Sequence, residues 1–363
     1  MSKEFYIGIM SGTSMDGIDV ALCEIDENNC RCIAYKEYAF GNHLKALALH
    51  LISHPSMLEE VGRLDVMLAE DYAKAVNHLL EEHDLLSKDI RAIGSHGQTL
   101  WHQPEGRYPF SMQLGNPSLL ATLTGINVVA DFRAKDIANG GQGAPFAPAF
   151  HQFIFSDLER SAVLNIGGMA NLTILGDTLL GYDTGCGNVL MDMWISEKKD
   201  VSYDKDGLWA KSGTVHLKLL EKMLSDSYFK LNYPKSTGRE YFNKNFLIKY
   251  REALGKIPDE DIQATLLALS VESISHEVQK FNIDRLLLCG GGAKNVFLLA
   301  EFRKKLPTVE IELTSDYGVS GDALEAMIFA WLAYKRLRRE SVDLKTVTGT
   351  KNNTILGGVY AAD

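Results

Sequence analysis

The chain has 363 residues, 46% of them hydrophobic and 23% charged, the profile of an ordinary globular protein too long for one core, so two domains are expected. A formal net charge of −10 argues against a general nucleic-acid surface. It leaves room for one anionic nucleotide, held by amides, a few basic groups and a metal.

Phe5–Ile9 and Ile18–Leu22 read as strands on either side of a turn carrying Gly12, Thr13, Ser14, Met15, Asp16 and Gly17. Two glycines expose backbone amides, two hydroxyls donate to an oxyanion, and Asp16 can hold a divalent cation through water. A phosphate clamp and an ordinary hairpin fit this turn equally well. Helical spacing follows over 44–52 and 58–80. Ile90–Gly94 then reads as a short strand delivering Ser95, His96, Gly97 and Gln98 at its end, a polar edge suited to a sugar. Asn127–Ala130 delivers Asp131 and Arg133, which bind substrate or form a buried ion pair. A Gly/Pro-rich stretch over 139–145 is a linker or a loop lining a cleft.

The second half opens as the first did, with the strand Ser161–Ile166, a turn at Gly167 and Gly168, and the returning strand Asn171–Leu175. A third strand is expected to end at Gly181–Tyr182, before Asp183, Thr184, Gly185 and Cys186. Helices are expected near 213–225 and 259–281. Arg285–Cys289 is a buried strand entering Gly290, Gly291 and Gly292, with Lys294 and Asn295 opening a helix. The strand Val309–Leu313 and a long helix over 321–339 close the pattern, with Asp322 and Glu325 in the first turn of that helix. Two related α/β lobes follow from the repetition.

No P-loop motif occurs, and no Gly-x-Gly-x-x-Gly follows the first strand, which excludes the two commonest nucleotide folds. Three strand-delivered glycine turns remain, at 12–17, 167–168 and 290–292, and their convergence points to a nucleotide. Asp183-Thr-Gly occurs once, whereas an aspartic protease needs two such carboxylates. Beside its glycines Asp183 suits a general base, or else a cap for the helix beginning near Asn188. Cys186 with His96 as base is a weaker nucleophilic alternative. The five cysteines, odd in number and scattered, read as reduced thiols, and Cys30 and Cys32 lack zinc spacing. No apolar run reaches transmembrane length and no signal-peptide core is seen, so a cytoplasmic protein with no membrane partner is expected.

Gly12–Asp19, Gly94–Thr99, Gly115–Pro117, Val129–Arg133, Gly140–Pro145, Asn165–Asn171, Asp183–Gly185 and Gly290–Asn295 occur in that order. Together they resemble the bacterial anhydro-N-acetylmuramic acid kinase family, over essentially the whole chain. The resemblance implies two ribonuclease-H-like lobes of the actin/Hsp70/sugar-kinase type with ATP between them: an N-terminal lobe over 1–132, joined by 340–363, and a C-terminal lobe over 133–339. It implies an ATP- and magnesium-dependent enzyme that opens the 1,6-anhydro ring of an amino sugar with water and phosphorylates the released 6-oxygen.

On this sequence Gly12, Thr13, Ser14, Met15, Asp16, Gly17, Ile18 and Asp19 then hold the ATP phosphates, Asp16 reaching magnesium through water. Gly167 and Gly168 join them, and Gly290, Gly291, Gly292 and Asn295 take the adenosine side. Asp183 is the base, Ser95, His96, Gln98, Asp131 and Arg133 meet the sugar, and Glu325 assists. The family usually has Pro where this chain has Cys186, which implies a less stiff turn after Asp183. A homodimer is also implied. A plain hexose or amino-sugar kinase and a nucleotide-switched interaction protein are the rival readings.

Overall fold

The computed structural model describes residues 4–12, 15–233, 235–250 and 256–362. The chain divides into two compact units, Met1–Ile154 with Gly318–Asp363, and Phe155–Tyr317. Among the described residues, β1 (Glu4–Ser11), β2 (Ile18–Ile25), β3 (Cys30–Tyr38), β4 (Ile90–Gln103), β5 (Phe110–Leu114) and β6 (Val128–Ala130) build the sheet of the first unit. β7 (Ser161–Ile166), β8 (Met169–Ile174), β9 (Leu180–Cys186), β10 (Arg285–Cys289) and β11 (Glu310–Leu313) build the second, and β12 (Gly358–Tyr360) returns to the first.

In the first unit the order is β3-β2-β1-β4-β6-β12, with β5 pairing β4. β1, β2 and β3 form an antiparallel meander, while β4 runs parallel to β1 and β6 parallel to β4. β1 is central, so both its faces are covered and its sequence is almost continuously apolar. Ile7 and Ile9 pack in one cluster with Leu64, Leu68, Tyr72, Val76 and Leu79, the apolar stripe of the helix Leu58–Glu82. The alternate positions meet the helix Leu324–Leu337, with Tyr6 edge-on to Tyr334 at 5.6 Å. Gly8 and Gly94 are register partners. A Cβ at Gly8 would stand 1.8 Å from the Ala326 carbonyl oxygen, and one at Gly94 would stand 1.9 Å from that of Phe329. Glycine at both positions lets the helix backbone rest directly on the sheet.

The second unit repeats the arrangement with β9-β8-β7-β10-β11. β7, β8 and β9 are the antiparallel meander, and β10 and β11 continue in parallel. Its core gathers Leu164, Leu172, Leu286 and Leu288 from the sheet with Ile262, Leu266, Ile274 and Val278 from the helix Asp259–Val278. Both sheets thus carry the ribonuclease-H-like order, a meander followed by parallel strands, and the α/β class with two such units is borne out.

Several boundaries differ from the sequence expectation. β3 went unread because Arg31, Lys36 and Glu37 dilute the apolar signal of a strand with one face partly exposed. β4 does not stop at Gly94 but continues to Gln103, because β5 pairs with its distal half. β9 passes Tyr182 and ends at Cys186, because β8 pairs with it along its length. The helix expected near 213–225 is the shorter Leu217–Leu224, and a separate short helix, Leu208–Ser212, precedes it. Residues 133–154 and the helix Leu324–Leu337, assigned by sequence to the C-terminal lobe, fall in the first unit; for the helix, the contacts at Gly8 and Gly94 are the reason.

Candidate active site

Asp183 lies inside β9, opposite Asn171 of β8, rather than in a loop after the strand. Its amide donates to the Lys235 carbonyl at 2.9 Å, and its own carbonyl accepts the Tyr228 hydroxyl at 2.8 Å. Carboxylate Oδ2 accepts the Thr237 amide at 2.9 Å and the Ser236 hydroxyl at 3.1 Å. Oδ1 accepts nothing from the described residues. Burial pushes this carboxyl above the usual aspartate value, and the nearby Glu240 charge adds to the rise, while the two hydrogen bonds oppose it. The result is a rigidly held carboxylate of raised basicity with one oxygen open to a ligand. It does not cap the helix Val189–Lys199, which has no side-chain cap.

Ser236 and Thr237 were not singled out from sequence. A Lys-Ser-Thr-Gly-Arg run over 235–239 in a segment without strand or helix was the available signal. The segment is anchored by Lys235, which pairs at 2.6 Å with Glu277, both side chains only 2% exposed.

The glycine turns of the second unit divide into two kinds. At Gly290 (φ +77°) a Cβ would strike Asn165 Oδ1 at 2.2 Å, and at Gly292 it would strike Ile166 Cγ2 at 2.3 Å, so the fold itself requires glycine there. At Gly167, Gly168 and Gly291 a Cβ would meet nothing closer than 3.6 Å, 3.8 Å and 3.9 Å. A Cβ at these three positions would make only ordinary van der Waals contacts, so packing does not dictate glycine there. Gly187 and Asn188 draw the pieces together, their amides donating to Gly168 and Gly167 carbonyls at 2.9 Å. Beside them opens a cavity of about 530 Å³ lined by Asn188, Asp192, Tyr203, Lys205, Gly291 and Asn295. That volume lies in the range of small-molecule sites. Asn295 also caps the helix Val296–Lys305 through the Leu298 amide at 3.0 Å.

In the first unit the turn between β1 and β2 carries Gly12, Met15, Asp16 and Gly17, whereas Thr13 and Ser14 lie outside the described residues. Met15 adopts φ +56° and is buried, and Ile18 is buried with it, so both side chains serve the core and only their backbone faces outward chemistry. Asp16 is exposed, 3.9 Å from Lys45. Among the described residues no three acidic, His or Cys side chains gather to hold a metal, and Asp16 is an exposed carboxylate able to meet a hydrated cation. Asp19 accepts the Tyr35 hydroxyl at 2.6 Å. Burial raises its carboxyl, and the Glu37 and Asp322 charges raise it further.

Ser95, His96 and Gln98 are buried within β4. His96 Nε2 accepts from Arg133 Nε at 3.0 Å, and Arg133 Nη1 donates to the Gly143 carbonyl at 2.7 Å. Because arginine only donates, the imidazole proton sits on Nδ1, and that N–H makes no well-formed hydrogen bond among the described residues, only a weak backbone contact at Gly97. Gln98 Oε1 has no hydrogen-bond partner among them. Two buried polar atoms without a well-formed hydrogen bond fit a polar ligand such as a sugar. Burial, then the Arg133 charge, hold His96 well below the usual imidazole value, so it is neutral. Desolvation lowers Arg133 to about 10, against the opposing pull of Glu325 and Asp136. Glu325, at the first turn of its helix, has its carboxyl raised by surrounding protein and by the Asp19 charge, with Arg133 opposing. Asp131 makes no ion pair with Arg133 and instead accepts the Tyr360 hydroxyl. Cys186 is fully buried and its thiol is pushed up to about 12, which removes the nucleophilic alternative.

The model of the anhydro-N-acetylmuramic acid kinase family matches residues 4–362. An anhydro-N-acetylmuramic acid kinase of Sulfurovum sp. (strain NBC37-1) is 59% identical over 362 residues, covering 99% of this chain and 100% of the relative. That of Sulfurimonas denitrificans (strain ATCC 33889 / DSM 1251) is 50% identical over 366 residues, with 99% and 100% covered. Among solved structures, a ROK family glucokinase from Streptomyces griseus in complex with glucose and AMPPNP is 14% identical at a TM-score of 0.41, covering 91% of this chain and 99% of that chain; this likeness is too loose to add to the argument. On the full-length match, the chain belongs to the anhydro-N-acetylmuramic acid kinase family.

Proposed function

We propose that this chain adds water across the 1,6-anhydro bridge of 1,6-anhydro-N-acetylmuramic acid and phosphorylates the released 6-oxygen with ATP, giving N-acetylmuramate 6-phosphate and ADP in cell-wall recycling. Family membership supports the reaction, and the observation that carries the mechanism is Asp183, with Oδ2 fixed and Oδ1 unengaged. Water is a poor nucleophile at neutral pH. Asp183 Oδ1 draws its proton as it attacks the anomeric carbon, and the raised basicity of this carboxylate favours the transfer. The departing 6-oxygen gains negative charge and is itself the phosphoryl acceptor, so no second carboxylate is required to protonate it.

In this reading the backbone at Gly167, Gly168 and Gly291 admits the nucleotide, and Asn188 and Asn295 border its adenosine. Gly12–Asp19 offers backbone amides to phosphate, and Asp16 orients the water shell of magnesium. Bound magnesium supplies charge neutralisation to the phosphates. His96 Nδ1–H, Gln98 and Arg133 bind polar groups of the sugar, with Ser95, Asp131 and Glu325 beside them. The reading extends to a cytoplasmic homodimer.

The test is incubation with ATP, magnesium and the anhydro-sugar in heavy-oxygen water. Label is expected in the anomeric hydroxyl of the phosphorylated product. Unlabelled product, or none, would overturn the reading.

A further inference from the structure

A Cβ at Gly168 would stand in ordinary van der Waals contact with Val189 Cβ at 3.8 Å and with the guanidinium of Arg239, Nη2 at 3.8 Å and Nε at 3.9 Å. Those two nitrogens form one donating edge of the planar fork, the geometry that engages two oxygens of a phosphate at once. Arg239 is solvent-exposed, and its charge acts on the Asp192 carboxylate without a hydrogen bond between the two side chains. Its backbone is nevertheless fixed, since Asn243 Nδ2 donates to its carbonyl at 3.0 Å. It also stands two residues beyond Thr237, whose amide holds the carboxylate of Asp183. One short segment therefore carries both the support of the base and an exposed cation beside the Gly168 turn.

We propose that Arg239 is a catalytic residue of the phosphoryl transfer, binding phosphate oxygens of the nucleotide against Gly168 and spreading their charge as the phosphoryl group leaves. The inference rests on the kinase reading above. Charge is its physical reason: in a chain of net charge −10, a triphosphate needs a local cation. Asp192, which lines the cavity beside the turn, has its carboxyl pushed up to about 6 by burial, with the Arg239 charge opposing. The balance of the step is simple. The bond from the terminal phosphorus to the bridging oxygen of ADP breaks, the sugar 6-oxygen forms the new bond, and Arg239 remains protonated throughout.

The experiment is calorimetric titration of the folded wild-type chain, Arg239→Ala and Arg239→Lys with a non-hydrolysable ATP analogue, alongside adenosine binding by ligand-observed NMR. Arg239→Ala should weaken the ATP analogue about tenfold or more while adenosine affinity stays unchanged. Arg239→Lys should fall between, because it keeps the charge and loses the fork. Equal affinity of Arg239→Ala and wild type for the ATP analogue would overturn the inference and leave the kinase reading standing, as would parallel loss of adenosine. Failure of the wild type itself to bind the ATP analogue would overturn both.

Discussion

The carboxylate of Asp183 and the amide of Thr237, fifty-four positions apart in sequence, meet at 2.9 Å. The bond fixes one oxygen of the base and leaves the other unengaged. Asp183→Asn keeps the shape and both acceptor contacts at the fixed oxygen but cannot take a proton. Turnover should fall about 10²–10⁴-fold, the usual worth of a positioned base, while affinity for an ATP analogue is retained. Single-turnover kinetics with parallel calorimetry make the check, and loss of nucleotide binding would contradict the role.

The same carboxylate sets an acidic limit on activity. It must be ionised to act, so the rate falls as pH drops through its pKa, and burial places that limb above the range of an ordinary aspartate. Ser236→Ala removes one hydrogen bond to the ionised form and leaves the Thr237 amide in place. The acid limb of kcat/KM should move to higher pH, with the rate well above the limb little changed. An unmoved limb would mean that another group controls it.

The glycine turns and the Asp183 motif were legible in the sequence because each is local: strand, glycine and carboxylate lie within a few residues. The supports of those residues were not. Ser236 and Thr237 matter only through bonds to Asp183 made across more than fifty residues, and nothing in their own neighbourhood announces it. β4 and β9 were cut short because Ser95, His96, Gln98 and Asp183 break the apolar run. Those polar groups can sit in strand interiors because neighbouring strands satisfy the backbone, which leaves the side chains free of that task. Met15 and Ile18, grouped from sequence with the phosphate turn, turn their side chains into the core.

Lys235 and Glu277 form a buried ion pair at 2.6 Å, joined by Lys280 at 2.7 Å and the Tyr182 hydroxyl at 3.1 Å. Burial alone would raise the Glu277 carboxyl, but hydrogen bonds from the two lysines outweigh it and hold it below the usual glutamate value. A carboxyl depressed in the folded state contributes stability above its unfolded pKa and loses it as pH falls through the folded one. Lys235→Met strands part of that charge and should cost about 3 kcal/mol at neutral pH. The variant should also lose less stability on acidification than the wild type. Adding Glu277→Leu should recover much of the loss. Urea unfolding at neutral and acidic pH reads all three effects.

Gly8 and Gly94 give the helix Leu324–Leu337 its seat, and the nearest atoms are backbone carbonyls that cannot rotate away. Gly8→Ala must therefore lift the helix from the sheet, with a destabilisation of about 3 kcal/mol, at the upper end for overpacking. Glu325 rides on that helix near Asp19 and Arg133. The variant should raise KM for the sugar more than it raises KM for ATP. A thermal melt indistinguishable from wild type would show that the helix is not held as described.

His96 offers the last prediction, because its tautomer follows from its partner. Arg133 donates to Nε2 at 3.0 Å, so the ring proton must lie on Nδ1, and burial with the Arg133 charge keeps the ring neutral. Nitrogen-15 NMR of the ligand-free protein should show a single Nδ1–H tautomer that does not titrate across neutral pH. Its N–H makes no well-formed hydrogen bond among the described residues, and in the proposed reaction the sugar provides an acceptor. The Nδ1–H resonance should shift when the anhydro-sugar binds. His96→Phe keeps the ring and removes the donor, so KM for the sugar should rise about tenfold with little change in ATP affinity. A resonance that ignores the sugar, together with an unaltered KM, would assign His96 to the scaffold alone.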